Sequence, residues 1–142
     1  MENEKELQEK MLLYRLLESR LEALVRQREL VTNKAFEINS TISSIEEIEK
    51  NQEDILFKLG GEAYAHGKVV DNGTILVEIG AGVVLEKPVQ EGKNILIKRR
   101  EEMENALKEL SENISKISGS INQITPEINE LIQKNQSENT AG

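Results

Sequence analysis

Cysteine is absent from this chain, and so is tryptophan. Without cysteine, disulfides, thiol catalysis and thiolate zinc sites are all excluded. Aromatic residues make up only 3% of the 142 residues, while charged residues make up 31%. Such a mixture rarely fills a broad core; it suits long helices with a narrow apolar seam and a wide wetted face. Proline is confined to Pro88 and Pro126, and no glycine precedes Gly60. Excess positive charge is missing too, since 18 Lys and Arg stand against 26 Asp and Glu, a net charge of −8. Nucleic acid and anionic membranes both call for a basic stripe, so neither is an expected partner. No apolar run approaches the ~20 residues that a membrane span needs. The opening residues, MENEKELQEK, are charged and hold no apolar stretch. No secretory signal is therefore expected, and the expected location is cytoplasmic.

The equipment of an active site is equally scarce. His66 is the only histidine, and it stands between Ala65 and Gly67 with no nucleophile that it could serve. Gly60-Gly61 and Gly80-Ala81-Gly82 complete no phosphate-binding fingerprint and read as hairpin and bulge breaks. Carboxylates such as Glu46, Glu49, Glu101 and Glu104 lie beside Lys and Arg on helical faces, a solvated arrangement rather than an acid–base pair in a cleft. No enzymatic activity, cofactor or metal is expected.

What is present is periodicity. From Leu7 to Ile45, alternating steps of three and four residues meet Leu7, Lys10, Tyr14, Leu17, Leu21, Leu24, Arg28, Val31, Ala35, Ile38, Ile42 and Ile45. Only Lys10 and Arg28 interrupt this coiled-coil rhythm. Arg28 either fixes the register or snorkels to solvent. The rhythm returns from Met103 through Leu107, Leu110, Ile114, Ile117, Ile121, Ile124 and Ile128 to Leu131. A helix is expected over 4–52 and another over 88–133, with Pro88 at the first helical position and a frayed tail over 134–142. Each helix would extend roughly 70 Å at ~1.5 Å per residue. Two seams of matching length predict an antiparallel pair with both chain ends at one tip. Ile38–Ile45 should then face Met103–Leu110, and Leu7–Leu21 should face Ile117–Leu131.

Between the helices, residues 53–87 are rich in glycine and β-branched residues. Strands are expected at Ile55–Leu59, Ala63–Val70, Thr74–Ile79 and Val83–Glu86. Asp71-Asn72-Gly73 is a hairpin signal, because Asn-Gly tolerates the positive φ angles of a type I′ turn. Gly80-Ala81-Gly82 makes a second break, so two hairpins are predicted. The fold class is α+β, mainly α, organised as a single domain. Such a small insert cannot bury a core alone. Val69, Ile75, Val77, Ile79, Val83 and Val84 are therefore assembly candidates in a β barrel shared between subunits. The alternative is that the insert packs only on the helix roots.

A two-helix seam uses two positions in seven, yet Met11, Leu12, Leu13 and Leu16 add apolar surface off the seam, and Ile128, Leu131 and Ile132 broaden the stripe at the end of the second helix. Contiguous apolar patches mark binding surfaces; the alternative is a broadened core stripe. The segment 111–129 is rich in weak helix formers and contains Gly119 and Pro126, which loosen a helix.

Helix, two hairpins and helix, with Leu59-Gly60-Gly61, Gly67-Lys68-Val69, Val77 through Lys87 (VEIGAGVVLEK) and Lys98-Arg99-Arg100, resembles the alpha class of the prefoldin family. That resemblance implies an ATP-independent molecular chaperone subunit. It implies a hetero-hexamer of two alpha and four beta prefoldin subunits around a double β barrel. Coiled-coil tips would capture unfolded polypeptides and deliver them to a group II chaperonin. On this reading Met11, Leu12, Leu13, Leu16, Ile128, Leu131 and Ile132 are client-binding candidates. The rival is a coiled-coil scaffold or tethering subunit that holds no client.

Overall fold

The computed structural model describes residues 2–50 and 53–141. Its elements, in chain order, are helix α1 (Glu2–Lys50), strands β1 (Ile55–Gly60), β2 (Ala63–Gly67), β3 (Thr74–Gly80) and β4 (Val83–Pro88), and helix α2 (Val89–Ala141). The expected extension of the first helix through Asn51 and Gln52 lies outside the described residues, as does Gly142 of the expected tail. The remainder of that tail is helical and continues α2. The chain divides into two compact units, Met1–Thr32 with Asn105–Gly142, and Asn33–Glu104.

In the first unit α1 and α2 run antiparallel. Asn3 Nδ2 donates to Glu138 Oε1 at 3.1 Å, and seven residues further along α1 the Lys10 ammonium meets Glu127 Oε2 at 2.9 Å. The seam follows the expected steps: Leu7, Tyr14, Leu17, Leu21 and Leu24 are half-buried, while Leu110, Ile124 and Leu131 of α2 are buried. Leu7–Leu21 thus lie against the stretch of α2 that the heptads assign them. Arg28 is half-buried on the seam and has no ion-pair partner among the described residues, as expected of a side chain that snorkels. Pro126 stands inside the continuous helix α2. Proline offers no donor to the carbonyl one turn back, and Thr125 Oγ1 and Ser120 Oγ donate to the carbonyls of Ile121 (2.7 Å) and Lys116 (3.1 Å). Back-bonding of this kind slightly weakens and often bends a helix.

The second unit holds the hairpins and the helix segments beside them. Ile42 and Ile45 of α1 pack with Val89 and Leu96 of α2, bordered by Ile38, Ile75 and Ile97. Arg100 Nη1 donates to Asn39 Oδ1 at 3.2 Å, and Lys93 Nζ stands 2.8 Å from Glu49 Oε1. The expected facing of Ile38–Ile45 with Met103–Leu110 is therefore corrected. The apolar stripe of α2 begins at Val89 and not at Met103, so the last turns of α1 meet earlier turns of α2. Pro88 is corrected as well: it ends β4 opposite Thr74, and α2 starts one residue later.

Two separate antiparallel sheets form, β1 with β2 and β3 with β4. Their tight turns are Gly61-Glu62 (φ +56° and +64°) and Ala81-Gly82 (φ +50° and +78°). Positive φ at both central residues is the type I′ pattern, whose twist matches that of paired strands. Each turn follows a register shift, between Lys58 and Gly60 and between Glu78 and Gly80. The Asp71-Asn72-Gly73 hairpin does not exist, because β2 ends at Gly67 and does not pair with β3. Those residues bridge the two hairpins instead. Asp71 Oδ1 accepts from Gly73 N at 2.8 Å, and Asp71 Oδ2 accepts from Thr74 Oγ1 at 3.2 Å. The Gly73 carbonyl then accepts from Val89 N at 3.0 Å. Side-chain capping of the local backbone competes with a hairpin turn and here replaces it. Val69 and Val70 consequently belong to this connector and not to a strand.

Candidate functional site

Two apolar surfaces stand out, one in each unit. In the first, Met11, Leu12, Leu13 and Leu16 are exposed, with Leu12 at 60% and Leu16 at 61%. Their exposure follows from helical geometry: Leu7, Lys10, Tyr14 and Leu17 occupy the seam, which turns the intervening residues outward. On α2 Ile132 is exposed and Ile128 is half-buried. Leu131, expected beside them, is buried in the seam at 6% exposure, so as a free contact residue it is corrected. A groove of about 360 Å³ runs between the helices, lined by Met11, Tyr14, Arg15, Glu18, Thr125, Ile128 and Asn129. Lys10 borders this region. Its hydrogen bond to Glu127, helped by the charges of Glu127 and Glu6, raises its pKa above the ordinary value of 10.5 despite opposing desolvation. The cation persists on the seam at neutral pH and keeps that part of the helix pair polar.

The second surface is formed by the hairpins. Val77 is 5% exposed and Ile75 is half-buried, because both pack on the helices. A Cβ on Gly92 would collide with the Ile75 side chain and lie 3.3 Å from Val77 Cγ2. The glycine is what lets β3 approach α2 so closely. The Arg99 guanidinium donates to the Glu78 carbonyl and ties the same strand to α2. Val77 is thereby placed in the chain's own core. Ile79, Val83 and Val84 remain exposed, as does Val69 on the connector.

Residues that periodicity overlooked enlarge this second surface. Leu56, Phe57, Leu59 and Tyr64 of the first hairpin and Leu76 and Leu85 of the second are all exposed. The cue was available in the sequence. Ile55-Leu56 and Gly60 recur as Ile75-Leu76 and Gly80, so the hairpins are one unit repeated at a fixed spacing. Within the first hairpin, the Phe57 ring covers Gly67, where a Cβ would lie 2.8 Å from Phe57 Cδ2. The described residues contain no cluster of His, Asp and Glu arranged to hold a metal. No described helix is long and apolar enough to cross a membrane.

Helix–hairpin–hairpin–helix order with these two turns can be set against known proteins. Residues 17–134 match the family described as prefoldin subunit. The chain belongs to the prefoldin family. Among curated relatives it is 33% identical over 119 residues to prefoldin subunit alpha of Archaeoglobus fulgidus, covering 82% of this chain and 81% of the relative. It is 32% identical over 117 residues to prefoldin subunit alpha of Methanocorpusculum labreanum, covering 81% of this chain and 80% of the relative. A chain of the filamentous prefoldin of Methanocaldococcus jannaschii, solved by cryo-EM, superposes with a TM-score of 0.67. Identity there is 15%, with 84% of this chain and 98% of that chain covered. That likeness concerns the prefoldin fold, which the two long helices and two hairpins reproduce.

Proposed function

We propose that this chain is the alpha-type subunit of an ATP-independent holding chaperone. In this reading the terminal helix pair captures unfolded or nascent polypeptides. The hairpins join the chain to beta-type subunits in a hetero-hexamer of two alpha and four beta, and the client passes to a group II chaperonin in the cytoplasm. The reading involves no catalysis, cofactor or metal. One observation carries it: Met11, Leu12, Leu13 and Leu16 form a contiguous apolar surface left uncovered by the seam. Burying apolar side chains of a non-native chain there gains roughly 25 cal/mol per Å². Such contacts are non-directional, so they suit clients that share no sequence.

The experiment replaces Leu12, Leu13 and Leu16 with serine in the full chain, assembled with its partner subunits. Aggregation of a chemically denatured client should proceed several times faster than with the wild-type complex, in the absence of nucleotide. The mass of the complex should not change, because none of the three residues lies on the seam. Suppression equal to wild type by the intact triple variant would defeat the reading.

A further inference from the structure

Asparagine is a thermolabile residue, because the amide nitrogen of the residue after it can attack its side-chain carbonyl and close a five-membered ring. Every described asparagine except Asn72 lies in α1 or α2. Helical dihedrals there hold the next amide nitrogen away from the side chain. Asn72 sits instead in the connector between β2 and β3, directly before Gly73. Asn72 is half-buried and Gly73 is exposed, so water reaches the pair. Glycine puts no side chain in the path of ring closure. The nitrogen that would attack is engaged elsewhere: Gly73 N donates to Asp71 Oδ1 at 2.8 Å. A Cβ on Gly73 would lie only 3.2 Å from that same oxygen, so the carboxylate fits closely over the glycine. Thr74 Oγ1, 3.2 Å from Asp71 Oδ2, steadies it from the other side.

We propose that Asn72-Gly73 is a self-modification site, and that Asp71 restrains it while the connector is folded. The chemistry needs only water. The Gly73 amide gives its proton to hydroxide, and its nitrogen bonds to Asn72 Cγ. The Cγ–Nδ2 bond breaks and ammonia leaves with a proton from water, so a succinimide remains. Water then opens the ring. Cleavage between Gly73 N and Cγ gives aspartate; cleavage between Gly73 N and the main-chain carbonyl carbon of Asn72 gives isoaspartate. Asp71 opposes the first step in two ways. Its hydrogen bond keeps the proton on the nitrogen, and its negative charge disfavours the anion that must form beside it. The product bears on the fold. Isoaspartate threads an extra methylene into the main chain just before Gly73, whose carbonyl accepts from Val89 N at 3.0 Å. Either product adds a carboxylate next to Asp71, close to Glu86, whose Oε1 lies 3.0 Å from Thr74 Oγ1. The tie between the connector and α2 is thereby loosened. This inference goes beyond the function proposed above and does not depend on it.

The test holds the full chain in mildly alkaline buffer for days and follows its tryptic peptides by mass spectrometry. The peptide Val69–Lys87, in which Asn72 is the only asparagine, should gain one dalton and split into two chromatographic forms. Peptides from α1 and α2 should keep their mass. Conversion should quicken as pH rises, because hydroxide takes the proton. Asp71→Ala should speed it about tenfold, the weight of one hydrogen bond to a charged acceptor. Asp71→Asn, which keeps an oxygen acceptor and loses the charge, should fall between the two. In denaturant the difference between wild type and D71A should largely vanish, since the restraint belongs to the folded connector. The Val89 amide should exchange faster in the isoaspartate form. Conversion of Val69–Lys87 no faster than that of the helical peptides would overturn the site. Equal rates for folded wild type and D71A, or an undiminished difference in denaturant, would overturn the restraint. Unchanged exchange at Val89 would overturn the loosening of α2.

Discussion

The two hairpins share a turn, a register shift and an Ile-Leu start, yet they are anchored differently. The β3–β4 hairpin is held by three separate ties to α2: Val77 and Ile75 pressed over Gly92, the Arg99 bond to the Glu78 carbonyl, and the Val89 amide on the Gly73 carbonyl. Among the described residues, the β1–β2 hairpin shows its own ladder and the Phe57 ring lying on Gly67. A two-stranded sheet by itself is at best marginally stable in water. The first hairpin therefore has less support than the second, which belongs to the fold of its own chain. Apolar content does not separate them. What separates them is whether a glycine on a neighbouring helix leaves room for the sheet.

Equivalent positions give the sharpest test of that contrast. Val77→Asp would bury a charge among Ile75, Leu96 and Ile45, and should cost the chain on the order of 4 kcal/mol. Phe57→Asp, at the matching place in the first hairpin, should change the stability of the isolated chain by only about 0.5 kcal/mol. Chemical denaturation of both variants checks this; equal losses would erase the distinction. Next in size, Gly92→Leu should overpack the Ile75–Val77 contact and cost about 1–3 kcal/mol. Gly67→Leu should cost less, because the exposed Phe57 ring can swing into solvent. Arg99→Met should remove about 1 kcal/mol through the lost bond to the strand, read as a lower thermal midpoint. The smallest effect belongs to the turns. Ala81→Gly relieves a left-handed alanine and should stabilise by roughly 1 kcal/mol or less. The same exchange at Glu62 should help the ladder of the first hairpin, visible as slower amide exchange in β1 and β2.

Much of this was legible in the sequence. Every seam position from Leu7 to Ile45 points inward as the steps of three and four require, because one helical face must be apolar to bury anything. The Gly60-Gly61 and Gly80-Ala81-Gly82 breaks marked the two tight turns. The errors arose where local signals competed. Asn72-Gly73 carries a hairpin signature, but Asp71 caps the backbone around it, and only the tertiary bond from Val89 reveals the outcome. Pro88 suits a helix start, yet it equally suits the last residue of a strand with no ladder donor to lose. The pairing beside the hairpins was misjudged because Val89 and Leu96 continue the heptads of α2 with charged residues, Lys93 and Arg100, at the intervening seam positions. Exposure near the chain ends was readable for Leu12 and Leu16, and so was the burial of Leu131, which closes the seam of α2 while Ile132 lies one step off it.

At the start of α2, strand passes into helix with no intervening loop: Pro88 is the last residue of β4 and Val89 the first of α2. The proline ring stiffens the junction, and the Val89–Gly73 bond clamps it. A torque applied to the second hairpin reaches the first turn of α2 with no slack joint to absorb it, so strand and helix behave as a single rigid crank.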